Sequence, residues 1–132
     1  MSSAPQTKPA IEKDFLPING TDYIEFYVGN AKQSSYYYRA AFGFKLVAYA
    51  GLETGVRDNQ SYVLQQDKIR FALTTPLLHE LAIADHIKLH GDGVRDLASW
   101  VDDAESAVLA LHGESFLIRV RPARCAVVPG NA

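Results

Sequence analysis

The sequence predicts an α+β fold: one βαβββ module followed by an incomplete second copy of the same unit. Three observations lead there. An alternating apolar and polar stretch feeds straight into a capped helix, three further strand-like runs follow that helix, and a later stretch from residue 95 onward can be written beneath the first without gaps.

Residues 22–44 read as strand, tight turn, helix and turn. Ile24, Phe26 and Val28 alternate with Tyr23, Glu25 and Tyr27, which gives the strand two differently used faces. Gly29 and Asn30 break it. Asn30 is placed to cap the helix with its side-chain oxygen, Gln33 stands at the capping-box position, and Gly43 can close the helix in the left-handed conformation. Residues 45–50 form a second strand, and 51–59, with two glycines and mixed charge, a loop. Residues 61–66 and 68–75 make a hairpin around Asp67, which Pro76 ends because proline has no amide to give to a ladder. A short helix over 82–90 stops at Gly91, and Gly91-Asp92-Gly93 turns into a strand over 95–101. Upstream, the polar residues 1–13 make a flexible arm, after which Phe15, Leu16 and Ile18 are expected to pack across the sheet ahead of an Asn19-Gly20 turn.

The strand over 95–101 repeats the first one. Tyr23 falls on Asp96, Ile24 on Leu97, Tyr27 on Trp100, Asn30 on Asp103 and Ala31 on Ala104, so Asp103 becomes the cap of a matching helix over 104–112 that closes at Gly113, with a strand over 115–120 beyond it. What remains is too short for a second full set of strands. At least one strand of the repeat is expected to be absent or supplied by another chain. The chain thus divides into an arm, 1–13, a first module with a linker helix, 14–94, and a truncated second module with an atypical tail, 95–132.

With 132 residues, 48% of them hydrophobic, the chain suits one domain able to bury roughly two-thirds of its unfolded surface. Its net charge of -2 argues against nucleic acid or an anionic membrane surface as partner. The single cysteine, Cys125, has no internal disulfide partner, no run is long and apolar enough to span a bilayer, and the first residues lack the apolar core of a signal peptide. A cytoplasmic location is expected.

Three phrases carry a family resemblance: TDYIEFYVGNAKQSSYYYRAAFGFKLVAYAG, GVRDNQSYVLQQDKIRFALTTPL and HGDGVRDLASWVDDAE. Over residues 14–107 the chain resembles the N-terminal domain of 4-hydroxyphenylpyruvate dioxygenase, of the vicinal oxygen chelate superfamily that also holds the glyoxalases. The resemblance implies the βαβββ module reached above from the residues. For the full-length family it implies an iron(II) enzyme of tyrosine catabolism, which uses dioxygen to decarboxylate 4-hydroxyphenylpyruvate and hydroxylate its ring, giving homogentisate. Two histidines and a carboxylate hold the iron in such sites, and in the family they belong to a C-terminal barrel that this resemblance does not reach. Where a catalytic barrel of this superfamily carries histidine ligands on the first strand of each repeat, this chain has Tyr23 and Asp96. No catalytic, cofactor-binding or metal-binding residue is therefore assigned, and no cofactor is expected in this chain. After Ala107 the resemblance is expected to end, as it would in a truncated or shifted reading frame.

Other groups are weighed on their chemistry. His86 and His90 share a helix face at a zinc-binding spacing, but no third ligand follows at a suggestive interval and His79-Glu80 does not continue into an HExxH pattern, so an exposed helix is the expectation. Tyr36, Tyr37 and Tyr38 cannot all face one way, which leaves at least one exposed. Tyr23, Glu25 and Tyr27 would look into the barrel cavity, expected to be filled by the chain's own side chains. Cys125 beside Arg119, Arg121 and Arg124 lacks a nearby histidine base or a glycine-rich oxyanion loop, and nucleophilic catalysis is not expected. Two readings follow: a non-catalytic fragment of the dioxygenase family, inactive alone, or a free-standing module that binds a small molecule or partner as a dimer. Expected partners are a second copy or a separate catalytic domain, and neither nucleic acid nor membrane.

Overall fold

Gly20–Tyr27 forms strand β1, which lies between two other strands of a five-stranded sheet. The computed structural model describes residue 14 and residues 16–111. After β1 come α1 (Ala31–Phe42), β2 (Lys45–Ala50), β3 (Asn59–Gln66), β4 (Ile69–Pro76), α2 (Ala82–His90), β5 (Gly93–Trp100) and α3 (Ala104–Leu111). The sheet order is β2-β3-β4-β1-β5, with β1 parallel to β4 and every other pairing antiparallel.

Helix α1 begins and ends as its terminal residues dictate. Asn30 Oδ1 accepts from the Gln33 amide at 3.0 Å, while Gly43 at φ 77° takes the left-handed turn that lets the Phe44 amide reach Tyr38 O at 3.3 Å. The helix covers one sheet face. Val28, Ala31, Phe44, Leu64 and Leu73 are buried between helix and sheet, with Phe26, Tyr38, Tyr62 and Phe71 packed against them. Phe71 is the aromatic centre, 4.8 Å from Phe44, 5.1 Å from Phe26 and 5.4 Å from Tyr38 by ring centroids. Complete burial of Leu64 and Leu73 stabilises the fold by about 1.5–3 kcal/mol each.

The β1–β5 pairing bears directly on the repeat. Ile24 stands opposite Leu97, Tyr23 opposite Ala98 and Glu25 opposite Asp96. Ile24 is therefore the cross-strand partner of the residue that the repeat places beneath it. Tyr23 and Asp96, the next equivalent pair, sit symmetrically to either side, as two copies related by a local two-fold axis must. The second cap forms as well, with Asp103 Oδ1 accepting from the Glu105 amide at 3.1 Å.

Several local expectations shift. Leu52–Thr54 is a single 3₁₀ turn inside the stretch read as loop, held by the Thr54 hydroxyl and amide on Gly51. Strand β3 starts at Asn59 because Asn59 and Gln60 still have Pro76 and Thr75 to pair with, and β5 starts at Gly93 because Tyr27 stands opposite it. Asn19-Gly20 is no turn: the Asn19 amide donates to Trp100 O at 2.8 Å, which draws Gly20 into β1. Ile18 is exposed rather than packed across the sheet. The arm 1–13, Phe15, the strand over 115–120, and Cys125 with Arg119, Arg121 and Arg124 lie outside the described residues.

Candidate functional site

The sheet face opposite α1 carries the polar side chains. Alternation turns Tyr23, Glu25 and Tyr27 of β1 away from the aromatic core, and cross-strand pairing adds Thr74 of β4, Ser61 of β3 and Asp96 of β5. Thr74 Oγ1 donates to Glu25 Oε1 at 3.1 Å and lies 3.0 Å from Ser61 Oγ. A hydroxyl has one proton, so with Thr74 donating to the carboxylate, Ser61 donates to Thr74. The chain of donors ends on Glu25, which is 4% exposed, and Thr74 is equally buried.

Beside this line, Asp96 faces Glu25 across the β1–β5 pair, with Arg95 Nη1 at 3.8 Å from Asp96 Oδ1. Asp96 Oδ2 is buried without a hydrogen-bond partner among the described residues. At the Tyr27 end, α2 closes against the face. His86 meets the Tyr27 ring edge-on at 5.6 Å between centroids, and the Arg95 guanidinium lies 6.0 Å from that ring's centre. His86 is thus half-buried packing rather than a purely exposed residue, whereas His90 is exposed as expected. His79 pairs loosely with Glu80 at 3.7 Å in solvent, apart from both. Tyr36 and Tyr37 are exposed, while Tyr38 turns into the aromatic core.

Two open depressions lie elsewhere, one of about 490 Å³ between α1 and β1 and one of about 330 Å³ beside α2, and neither is lined by Glu25, Thr74 or Asp96. Four groups away from this face have shifted acid–base ranges. Glu53 accepts a hydrogen bond from the Tyr49 hydroxyl, which holds the phenol above and the carboxyl below their usual ranges, and burial raises Tyr62. The Ser106 hydroxyl and the Glu105 amide lower Asp103.

The donor set does not fit the iron that the resemblance implies for the full-length family. The positions in question hold a phenol, Tyr23, and two carboxylates, Glu25 and Asp96, and among the described residues no three of His, Cys, Asp and Glu come together to hold a metal ion. Iron(II) of that type needs imidazole donors as well as a carboxylate. Sequence reasoning singled out Tyr23, Glu25, Tyr27 and Asp96, and the structure brings all four to one face. It did not single out Ser61 and Thr74. Counting back from the Asp67 turn sets Ser61 opposite Thr74, but only the parallel β1–β4 pairing brings them to Glu25.

A βαβββ unit whose first strand pairs about a local two-fold with the first strand of a second unit defines a vicinal oxygen chelate fold. Solved structures agree. A methylmalonyl-CoA epimerase variant from Streptomyces coelicolor superposes with a TM-score of 0.66 at 16% identity, over 83% of this chain and 80% of the epimerase. A 4-hydroxymandelate synthase mutant from the same organism superposes with a TM-score of 0.64 at 32% identity, over 68% of this chain and 28% of the synthase. No protein-family model matches the chain. Among curated relatives, the 4-hydroxyphenylpyruvate dioxygenase of Aspergillus fumigatus is 38% identical over 136 aligned positions, spanning 92% of this chain. That of Caenorhabditis briggsae is 46% identical over 88, spanning 66%. The chain is homologous to the N-terminal part of 4-hydroxyphenylpyruvate dioxygenase. It spans 34% and 22% of the length of these two relatives. The Aspergillus alignment is too long to stop at Ala107, so the expected end of resemblance there does not hold for that relative. Among the described residues no helix is long and apolar enough to cross a membrane.

Proposed function

We propose that this chain serves as the non-catalytic N-terminal module of a 4-hydroxyphenylpyruvate dioxygenase, a cytoplasmic enzyme of tyrosine catabolism, and is inactive alone. The observation that carries this reading is the donor set on the Glu25–Asp96 face. The homology supplies the family, and a face of phenol, carboxylates and hydroxyls supplies no imidazole at the ligand positions. In this reading iron(II), dioxygen and the 2-oxo acid are handled by a catalytic barrel, while the module packs and assembles. The test is oxygen uptake with 4-hydroxyphenylpyruvate and added iron(II). The rate should match a protein-free control, and homogentisate formed by this chain alone would overturn the proposal.

A second reading is favoured by one observation: β5 has β1 as its only strand neighbour among the described residues, and its Leu97 and Trp100 are 68% and 61% exposed. A free-standing module that pairs with a second copy through this strand accounts for both. Solution mass decides between them, since a stable dimer supports this second reading and a monomer at micromolar concentration removes it.

A further inference from the structure

We propose that His86 and His90 form a two-imidazole chelate for a nitrogen-preferring divalent transition ion, Zn²⁺ or Ni²⁺, at the C-terminal turn of α2. The two residues are one helical turn apart, and their ring centroids lie 4.7 Å from each other with the planes inclined at 47°. Metal–nitrogen bonds of about 2.0–2.1 Å, at an angle between square-planar and tetrahedral, hold the centres of two imidazoles about 4.5–5 Å apart. The observed centroid spacing falls within that range.

Two further features favour a cation there. His86 is held in place by the Tyr27 ring, 5.6 Å away, so one ligand is partly immobilised before an ion arrives. His90 is the last residue of α2, where the unpaired carbonyls give the helix its negative end. The surrounding charges set a limit. Arg95 lies 6.0 Å from the Tyr27 ring centre, while Asp85 and Lys88, on the same helix, pair with each other at 3.5 Å. The positive charge of Arg95 and the lack of a third protein ligand among the described residues keep the affinity modest, with water completing the coordination sphere. This site is separate from the Tyr23 and Asp96 positions, so it does not depend on the proposed function.

Bound, the ion ties the last two turns of α2 together and holds the helix on Tyr27, so binding free energy adds to folding stability. The experiment uses the full chain, titrated with Ni²⁺ or Zn²⁺ alone in a non-chelating buffer and read by calorimetry and thermal melting. The expected result is saturable binding of one ion per chain with a rise in melting temperature. His90→Gln, at an exposed position, should weaken binding at least tenfold while leaving the circular dichroism unchanged. His86→Gln should do the same, and His79→Gln should change nothing. Absence of saturable binding, full affinity in His90→Gln, or an effect that follows His79 or His112 instead would overturn the proposal.

Discussion

Ala31 and Ala104 occupy the same place in the two copies of the strand-and-helix unit, yet Ala31 is fully buried and Ala104 is exposed. The copies share the register about Ile24 and Leu97, a polar side-chain cap and a helix start. They differ in what surrounds them. The first strand lies between β4 and β5, and its helix packs on β2, β3 and β4, whereas β5 has β1 as its only neighbouring strand among the described residues. An amphipathic pattern therefore specifies which face can be buried. Burial itself follows from the strands that complete the module.

The sharpest way to break this comparison is to cut into each copy's surroundings. Leu73 lies completely buried beneath α1, and Leu73→Ala should cost about 2–5 kcal/mol, the transfer loss plus the cavity left behind. Leu97→Ala, at a position 68% exposed, should stay within about 0.5 kcal/mol. Denaturant unfolding of both variants measures the difference. A Leu97 variant as damaged as the Leu73 variant would show that the outward face of β5 is covered in solution, which the dimer reading requires.

Enlarging the two alanines sharpens the contrast at strictly equivalent positions. Ala31→Leu forces extra methyl groups into the packed core against Leu64, Leu73 and Phe44 and should cost about 1–3 kcal/mol. Ala104→Leu should be neutral to within about 0.5 kcal/mol. Equal costs, again by denaturant unfolding, would mean that the two helices share one environment.

Most of the fold was legible in the residues because each element carries its own local signal. Asn30, Gly43 and Gly91 mark helix ends, Asp67 sits at φ 51° in the hairpin turn, and the repeat could be aligned from residue types alone. What was not legible depends on pairing. Asn59, Gln60 and Gly93 have weak strand preference and become strand only because Thr75, Pro76 and Tyr27 stand opposite. The polar face was only half legible in the same sense. Alternation gathers Tyr23, Glu25 and Tyr27, but burial of Glu25 under hydrogen bonds from Thr74 requires the parallel β1–β4 pairing across 49 positions of sequence. His86 reads as a surface residue until α2 is docked on Tyr27.

The two caps differ in their chemistry. Asn30 does not titrate, and Asn30→Ala should cost about 0.5–2 kcal/mol at any pH where the fold persists. Asp103 does titrate, and its carboxyl is held below the usual aspartate range by the Ser106 hydroxyl and then by the Glu105 amide. A carboxyl lowered in the folded state contributes stability that is fully present above its unfolded range and is lost as pH falls through its folded value. Acid should therefore loosen the first turn of α3 while the first turn of α1 stays capped. Amide-exchange protection factors for residues 104–107 and 31–34, followed from neutral pH downward, measure this. Protection of the α3 amides that does not change as Asp103 becomes protonated would show that its carboxylate does not support the helix start. Simultaneous loss in both helices would report unfolding of the whole sheet, and the two caps would then have no separate energetic standing.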